Sequence, residues 1–569
     1  MAKPANTPLT PEIASEVCQR AGSRAYIAGS VAILGNEYVL GLKAVNCQNG
    51  DVLAQEQATA ASKEKVLEAL GQATARLREQ LGESLTSIKK FGAPLADATT
   101  TSLEALKAFS LGLKAKNEKG SMAALPYFQH AIELDPNFAM AYIEVGNVYG
   151  SMAEVERPSE YYKKAFELRD HASERERHEI TGSYYDTVTG EQDKAIKAYE
   201  EYIQNYPRQA NAYNRLGNAY TSLGQYDSAT EAYRQAVRID PGYLVPYMNM
   251  GNSLMALQQF SEARAAIQKA LPARADDFLP HNTFYILAFL NSDAAGLKEQ
   301  QEWYETHPDG EHFGLSLISD TEAYAGHLSK AREITKRAIR SSVKAESKEN
   351  AGIWAENGAL REAGFGNAAE ALRAITAGLQ LMPASQAVAD QAALAFALAD
   401  DSARAESLAQ ELNKRFPLDT QLQSIWLPSI RAQVALNRNN PSAALQALQV
   451  AEPIEMGQMS WTTNMSCMFP AYIRGQAYLA ARQGKEAATE FQKILDHSGV
   501  VWNCWTGALA HLGVARADAL VAKSSQGADA DLARTRALDA YKEFLVLWKD
   551  ADPEIPILIA AKAEYAKLH

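Results

Sequence analysis

The chain has 569 residues, 68 acidic against 56 basic side chains and a formal net charge of −12, with 47% hydrophobic residues. The acidic balance argues against a nucleic-acid partner, which a basic face would have to attract. The length exceeds one ordinary core but suits a linear stack of short units. No run of 18 apolar residues occurs, so no membrane insertion by this chain is expected. The opening MAKPANTPLTPE lacks the apolar stretch of a signal peptide, and the chain as given reads as cytoplasmic.

Residues 1–95 read as a small α+β domain. Thr10 is placed to cap a short helix that begins at Pro11 and is followed by Gly22. Three strand-like runs follow, Ala25–Leu34, Tyr38–Cys47 and Val52–Thr59, separated by tight turns at Gly35-Asn36 and Asn49-Gly50. An amphipathic helix from about Ser62 to Leu81 carries Val66, Leu70, Ala73 and Leu77 on one stripe. The sheet begins abruptly, which predicts an open edge and a route to self-association. Cys18 and Cys47 fall in this region and read either as a pair or as two free thiols. With Cys467 and Cys504 they form no CxxC and no zinc spacing, so no metal is expected.

Residues 91–100 read as a linker, after which Thr101 and Glu104 form a predicted capping box. A small residue then recurs at Gly112, Gly146, Ser183, Gly217 and Gly251, at spacings of 34, 37, 34 and 34. The stretch 210–241 has the full set: Tyr213, Leu216, Gly217, Tyr220, Ala229, Tyr233, Ala236 and Pro241. Small residues let two antiparallel helices cross, which places Gly217 opposite Ala229, with Tyr220 and Tyr233 filling the space beside the crossing. Asp240-Pro241 stops the second helix. This pattern is the signature of the tetratricopeptide repeat (TPR), a helical hairpin of 34 residues.

Repeats read clearly at 105–138, 139–172, 176–209, 210–243 and 244–277, so 101–277 forms a well-ordered block. The second is imperfect at Pro158. Over 278–450 the signature thins to Ala371, Ile375, Pro383 and a weak Ala443-Ala444, which reads as a bend or a seam between two halves. It returns in 451–569 at Gly475, Tyr478, Ala487 and Phe491, and again at Gly513, Ala537 and Tyr541 around an inserted loop, KSSQGADAD. At 34 residues each, the span holds roughly 13 hairpins. The expected fold is mainly α, a right-handed superhelical solenoid in which each repeat touches only its neighbours, preceded by the small α+β domain.

Motifs of chemistry are weak. Gly364 to Ala369 matches GxGxxA but lies between helices, not after a strand. His307 to His312 (HPDGEH) lacks zinc-hydrolase spacing, and Gly484-Lys485 is followed by Glu486. With no GxSxG, HRD or DFG, the chain reads as non-catalytic and without a cofactor. A binding pattern is clearer. The residue after the small glycine is Asn147, Asn218 and Asn252, each directed into the groove lined by first helices. A carboxamide has one acceptor and two donors, enough to pair with an extended peptide backbone. One turn away stand Met140, Ile143, Met248 and Met255, soft surfaces for apolar partners. No lysines flank them, which argues against a clamp for acidic termini. The same asparagines have a second reading as structural residues of the repeat. An alternative function, a small-molecule or enzymatic site, would use Trp461, Met465, Met468, Trp502 and Trp505, whose commoner use is core packing.

The segment from LTPEIASEVCQRAGSRAYIAGSVAILGNEYVLGLKAVNCQNGDVLAQ through EQATAASKEKVLEAL resembles the end of a TolB-like domain. LREQLGESLTSIKKF, ATTTSLEALKAFSLG and WKDADPEIPILIAAKAEYAKL resemble acidobacterial-type membrane serine/threonine kinases carrying tetratricopeptide repeats. The resemblance implies a preceding kinase domain and membrane helix, with this region outside the cytoplasm. The kinase motifs, the helix and the first part of the TolB-like domain are absent from the sequence. The expectation is therefore a sensory or scaffolding module that binds a protein or peptide.

Overall fold

The computed structural model describes residues 9–20, 22–86, 88, 100–271, 278–308, 310–459 and 466–568. It is 74% helical, with 28 helices and one three-stranded sheet among the described residues. Two compact units are present, one of residues Met1–Ser151 and Glu160–Thr181, the other of Met152–Ser159 and Gly182–His569.

In the first unit, α1 (Pro11–Arg20) precedes β1 (Ala25–Leu34), β2 (Glu37–Asn46) and β3 (Val52–Ala60), an antiparallel sheet in that order. Thr10 accepts the Ile13 N–H at 3.4 Å, and Gly35 and Gly50 take positive φ in the two turns. After a 3₁₀ turn at Lys63–Lys65, α2 (Val66–Gln80) covers one face of β2 and β3. Leu42, Ala44 and Ala54 pack there with Ala73 and Leu77, and Leu40 and Ala60 pack with Val66 and Ala69. Cys18 is disulfide-bonded to Cys47, tying α1 to the end of β2, and Ser15 and Gln19 both donate to the Cys47 carbonyl. Cys467 and Cys504 are also bonded, so the free-thiol alternative is overturned and no described cysteine is free.

Helical hairpins follow. In order they are α3 (Leu103–Lys119) with α4 (Ser121–Leu134), α5 (Ala139–Gly150) with α6 (Glu156–Glu167), α7 (Glu174–Ser183) with α8 (Gln192–Asn205), α9 (Ala210–Ser222) with α10 (Tyr226–Ile239), and α11 (Val245–Ala256) with α12 (Phe260–Ala270). Pairing continues without a break through the weak middle: α13 (Phe278–Leu290) with α14 (Ala294–Thr306), α15 (Glu311–Tyr324) with α16 (Leu328–Lys344), α17 (Lys348–Gly364) with α18 (Ala368–Leu381), α19 (Gln386–Leu398) with α20 (Ser402–Arg415), and α21 (Leu427–Asn437) with α22 (Pro441–Leu448). Then come α23 (Phe469–Ala480), α24 (Gly484–Asp496), the short α25 (Ser498–Val501), α26 (Trp505–Ser524), α27 (Ala528–Leu547) and α28 (Pro556–Ala566). The predicted KSSQGADAD loop is mostly helical, with only Ser525 to Gly527 left between α26 and α27. The start of α3 is also corrected. Ser102 is its N-cap, accepting the Ala105 N–H, because Thr100 is anchored on Asp135 and shifts the cap by one residue. Glu104 pairs with Lys63 instead. Of the predicted linker, only Thr100 lies within the described residues.

The repeated glycines have a sharper role than a small–small crossing. A Cβ at Gly217 would meet the Tyr233 ring, within 2.7 Å of Cζ, and Gly146 stands in the same relation to Tyr162, Gly112 to Phe128, and Gly475 to Phe491. At Gly251 the covering side chain is Ile267. Gly217 is thus the floor for an aromatic ring from the second helix, with Ala229 buried nearby. In the third repeat the floor is Gly182, under Tyr199, and not Ser183. A π-helical stretch, Tyr184–Thr189, inserts the extra residue that moves the phase.

The second unit departs from a nearest-neighbour stack. Its core runs continuously from Tyr226 to Ala561. Gln258 donates to the Asp496 carbonyl, Asn503 to the Leu317 carbonyl, and the Trp548 indole N–H to the Tyr324 carbonyl. The Gly190 carbonyl accepts from Thr420 N–H and the Phe365 carbonyl from Ile557 N–H. Glu349 takes the Val155 and Glu156 N–H groups. Residues 455–459 lie along the end of α9: Gln458 N–H donates to Thr221, Tyr226 hydroxyl to Met456, and Gly457 sits so close to the Ser222 carbonyl that no side chain fits. C-terminal hairpins therefore pack back against earlier ones.

Candidate functional site

The groove asparagines sit where the glycine floor puts them. With the tyrosine ring lying over Gly146 or Gly217, its hydroxyl emerges beside the next residue. Asn147 Oδ1 accepts the Tyr162 hydroxyl at 2.8 Å, and Asn218 Oδ1 accepts the Tyr233 hydroxyl at 2.8 Å. Burial holds the Tyr233 phenol far above its ordinary pKa, so it remains a donor. Where isoleucine replaces tyrosine, over Gly251, the next asparagine turns elsewhere: Asn252 Oδ1 accepts from Thr283 Oγ1 of α13 at 3.2 Å.

Lateral bonds join adjacent first helices. Asn249 Nδ2 donates to Asn218 Oδ1 at 3.0 Å and to Asn214 Oδ1 at 3.1 Å, linking α9 to α11. The oxygens of Asn218 and Asn252 are thereby spent inside the protein. Their Nδ2 groups carry no hydrogen bond among the described residues, and both side chains are only half-buried. Each is a donor with its acceptor end fixed. Asn147 belongs to the first unit, and Asn218 and Asn252 to the second.

The expected apolar surface is not open. Ile143 and Met255 are fully buried, and Met140 and Met248 nearly so. In the second unit the cause is the returning chain, since Gly499 packs directly on the Met255 carbonyl. Met468, Trp502 and Trp505 are likewise core residues, while Trp461 and Met465 lie outside the described residues. A cleft of about 400 Å³ opens between α20 and α21, rimmed by Glu406, Gln410, Arg431 and Arg438 and containing no groove asparagine.

The remaining motifs resolve into structure. Gly364 to Ala369 is the turn between α17 and α18, with Gly366 at positive φ. His307 stacks on Trp303, whereas His312 is buried with its Nδ1 accepting the Trp354 indole N–H at 3.3 Å; Asp309 lies outside the described residues. Among the described residues no three His, Cys, Asp or Glu side chains group to hold a metal, and no helix is long and apolar enough to cross a membrane.

The tyrosine partners of the asparagines do not stand out in the sequence as binding residues. Their signal was present, since Gly-Asn is followed by tyrosine at one fixed offset in two repeats, Tyr162 and Tyr233, and by isoleucine in the third.

Stacked helical hairpins with glycine floors and a polar inner face define a repeat scaffold of the kind suited to holding a protein or peptide. The family model described as tetratricopeptide repeat matches residues 210–243, the α9–α10 hairpin, so the chain carries a tetratricopeptide repeat there. No curated protein matches. Among solved structures, the chain is similar to YrrB, a TPR protein with an unusual peptide-binding site, at 20% identity over 31% of this chain and 89% of that one, TM-score 0.20. MamA aligns at 26% identity over 29% of this chain and 95% of its own, TM-score 0.20. A thermophilic TPR protein of Thermus thermophilus aligns at 18% identity over 34% of this chain and 98% of its own, TM-score 0.25.

Proposed function

We infer that this scaffold captures an extended polypeptide by donating hydrogen bonds from Asn218 and Asn252 to its backbone carbonyls, with Asn147 placed at the matching repeat position in the first unit. One observation carries the reading: Oδ1 of Asn218 is pinned by Tyr233 and Asn249, and Oδ1 of Asn252 lies 3.2 Å from Thr283 Oγ1, an arrangement that turns each Nδ2 outward as an unspent donor. Carbonyl recognition of this kind is largely independent of ligand sequence. The test is Asn218→Asp with Asn252→Asp, which keeps both acceptors and removes both donors. Affinity for a peptide selected by display against the parent should fall roughly 5- to 150-fold, the worth of two hydrogen bonds, while the melt stays close to the parent's. Unchanged affinity with an intact fold would refute this reading.

The finer context rests on the resemblance of the quoted segments to TPR-bearing membrane kinases. In that reading the chain is the recognition part of a bacterial serine/threonine kinase system. Two disulfides support a place outside the cytoplasm, since such bonds persist in oxidising compartments. Reconstitution of the chain with such a kinase should make phosphotransfer respond to the selected peptide; indifference to it would count against the kinase role.

A further inference from the structure

The outer edge of β1 is a ten-residue strand that no described residue pairs. Cys47 N–H donates to the Arg24 carbonyl, and the two-residue turn Gly35-Asn36 sets Leu34 opposite Glu37. In an antiparallel ladder, hydrogen-bonded and non-hydrogen-bonded pairs alternate. Even-numbered residues of β1 therefore bond β2, and Ala25, Ile27, Gly29, Val31 and Ile33 aim their N–H and C=O groups at the open edge. Their side chains share a face with Ala44, Leu40 and Tyr38, their partners across the ladder at Ile27, Val31 and Ile33. That is the face α2 covers over β2 and β3. Over β1 it stays bare, with Ile27, Val31 and Ile33 at 55%, 66% and 69% exposure.

Natural edges are blunted by charge, proline or a bulge. β1 has no charged residue and no proline, and its register with β2 is unbroken.

We propose that β1 is a homodimer interface, pairing antiparallel with β1 of a second copy about a twofold axis through Gly29 to form a six-stranded sheet. Every outward group is then satisfied. Gly29 faces its own mate, Ile27 lies opposite Val31, and Ala25 lies opposite Ile33, with all side chains on the face that carries α2 in both copies. A contact of this kind is isologous, so each pairing occurs twice. The charges agree with it. Arg24 of one copy comes beside Leu34 of the other, whose own ladder neighbour is Glu37, two strand spacings or about 10 Å away on the same face. Both are exposed, and both side chains are long enough to close that gap. Opposite charges therefore meet at each end of the interface.

The experiment is sedimentation velocity of the full chain over a range of concentrations. The parent should reach twice its 62.0 kDa mass. Gly29→Pro removes only an outward N–H, the position where an edge strand tolerates proline. A Cβ there meets nothing nearer than Leu42 Cδ2 at 3.8 Å. Two hydrogen bonds are lost per dimer, so the dissociation constant should rise roughly 5- to 150-fold, with amide protection of β2 retained. Arg24→Glu should weaken the dimer and the added Glu37→Arg should restore it, a rescue that misfolding cannot mimic. A parent that is monomeric at every concentration assigns the edge to another occupant, an upstream stretch of a longer chain or a different protein, and overturns the proposal. A dimer indifferent to both Gly29→Pro and the charge swap overturns it too.

Discussion

Replacing Asn218 by alanine separates the two roles a groove asparagine can have. The side chain accepts two hydrogen bonds, from Tyr233 and Asn249. Neither donor is orphaned by the change, because the Tyr233 hydroxyl stays within 3.1 Å of Thr221 Oγ1 and Asn249 keeps Asn214. The cost is then two net hydrogen bonds, about 1–3 kcal/mol, with no desolvation penalty added. Alanine is the better helix former by up to about 0.7 kcal/mol, so the net loss is about 0.3–3 kcal/mol. A chain of this size does not unfold in one step, so the assay must be local. Native-state hydrogen exchange of α9 and α10 should lose protection roughly 2- to 150-fold, while the first unit serves as an internal control. Asn218→Asp, which keeps the acceptor, should lose clearly less. If protection in α9 and α10 were unchanged in Asn218→Ala, the bonds to Tyr233 and Asn249 would contribute nothing, and the pinning of the carboxamide would be wrong.

Three further outcomes follow from the same packing. Gly217→Leu drives a side chain into the Tyr233 ring and should destabilise α9–α10 by about 1–3 kcal/mol or more; unchanged hydrogen-exchange protection of α9 and α10 would refute the glycine-floor assignment. Burial pushes the His312 imidazole down from 6.5 to about 4, so the unfolded chain binds the extra proton between those values. Stability should therefore fall as pH drops from about 6.5 to 4, by at most about 1.4 kcal/mol per pH unit from this group. His312→Gln should remove that component in acid melts, and an unchanged pH profile would show that His312 is not its source. Cys467→Ser with Cys504→Ser opens the link between the start of α23 and α26 and should cost about 2–5 kcal/mol in chemical denaturation under oxidising conditions, against no effect if that disulfide is absent in solution.

What the sequence reveals is what neighbouring residues enforce. The boundaries of β1 and the α9–α10 hairpin are legible because turn glycines, alternation and helical spacing act within a few residues. Gly217 is legible as a crossing, whereas its direct packing under the Tyr233 ring depends on how the second helix lies across it. Ser183 misleads because a helix that widens to π geometry gains a residue without any break in its hydrophobic pattern. Met248 and Met255 look like a binding surface because they face the groove, and nothing local says that Gly499 will arrive on top of them. The disulfide partners were open for the same reason. Asn218 shows the split at one residue: its type and direction are visible in the repeat, while the fate of each end of its amide depends on helices 15 to 31 residues away.

The return of the C-terminal hairpins has a consequence for synthesis on the ribosome. Gln258 must wait for a partner 238 residues downstream. At about 5–20 residues per second, that is roughly 12–48 s of elongation. An ordinary repeat array can set each hairpin as it emerges, but here part of the packing of α11, at Met255, must wait until residue 499 is made. The contact of Gly499 with the Met255 carbonyl is therefore among the last that α11 gains, long after its own hairpin has emerged.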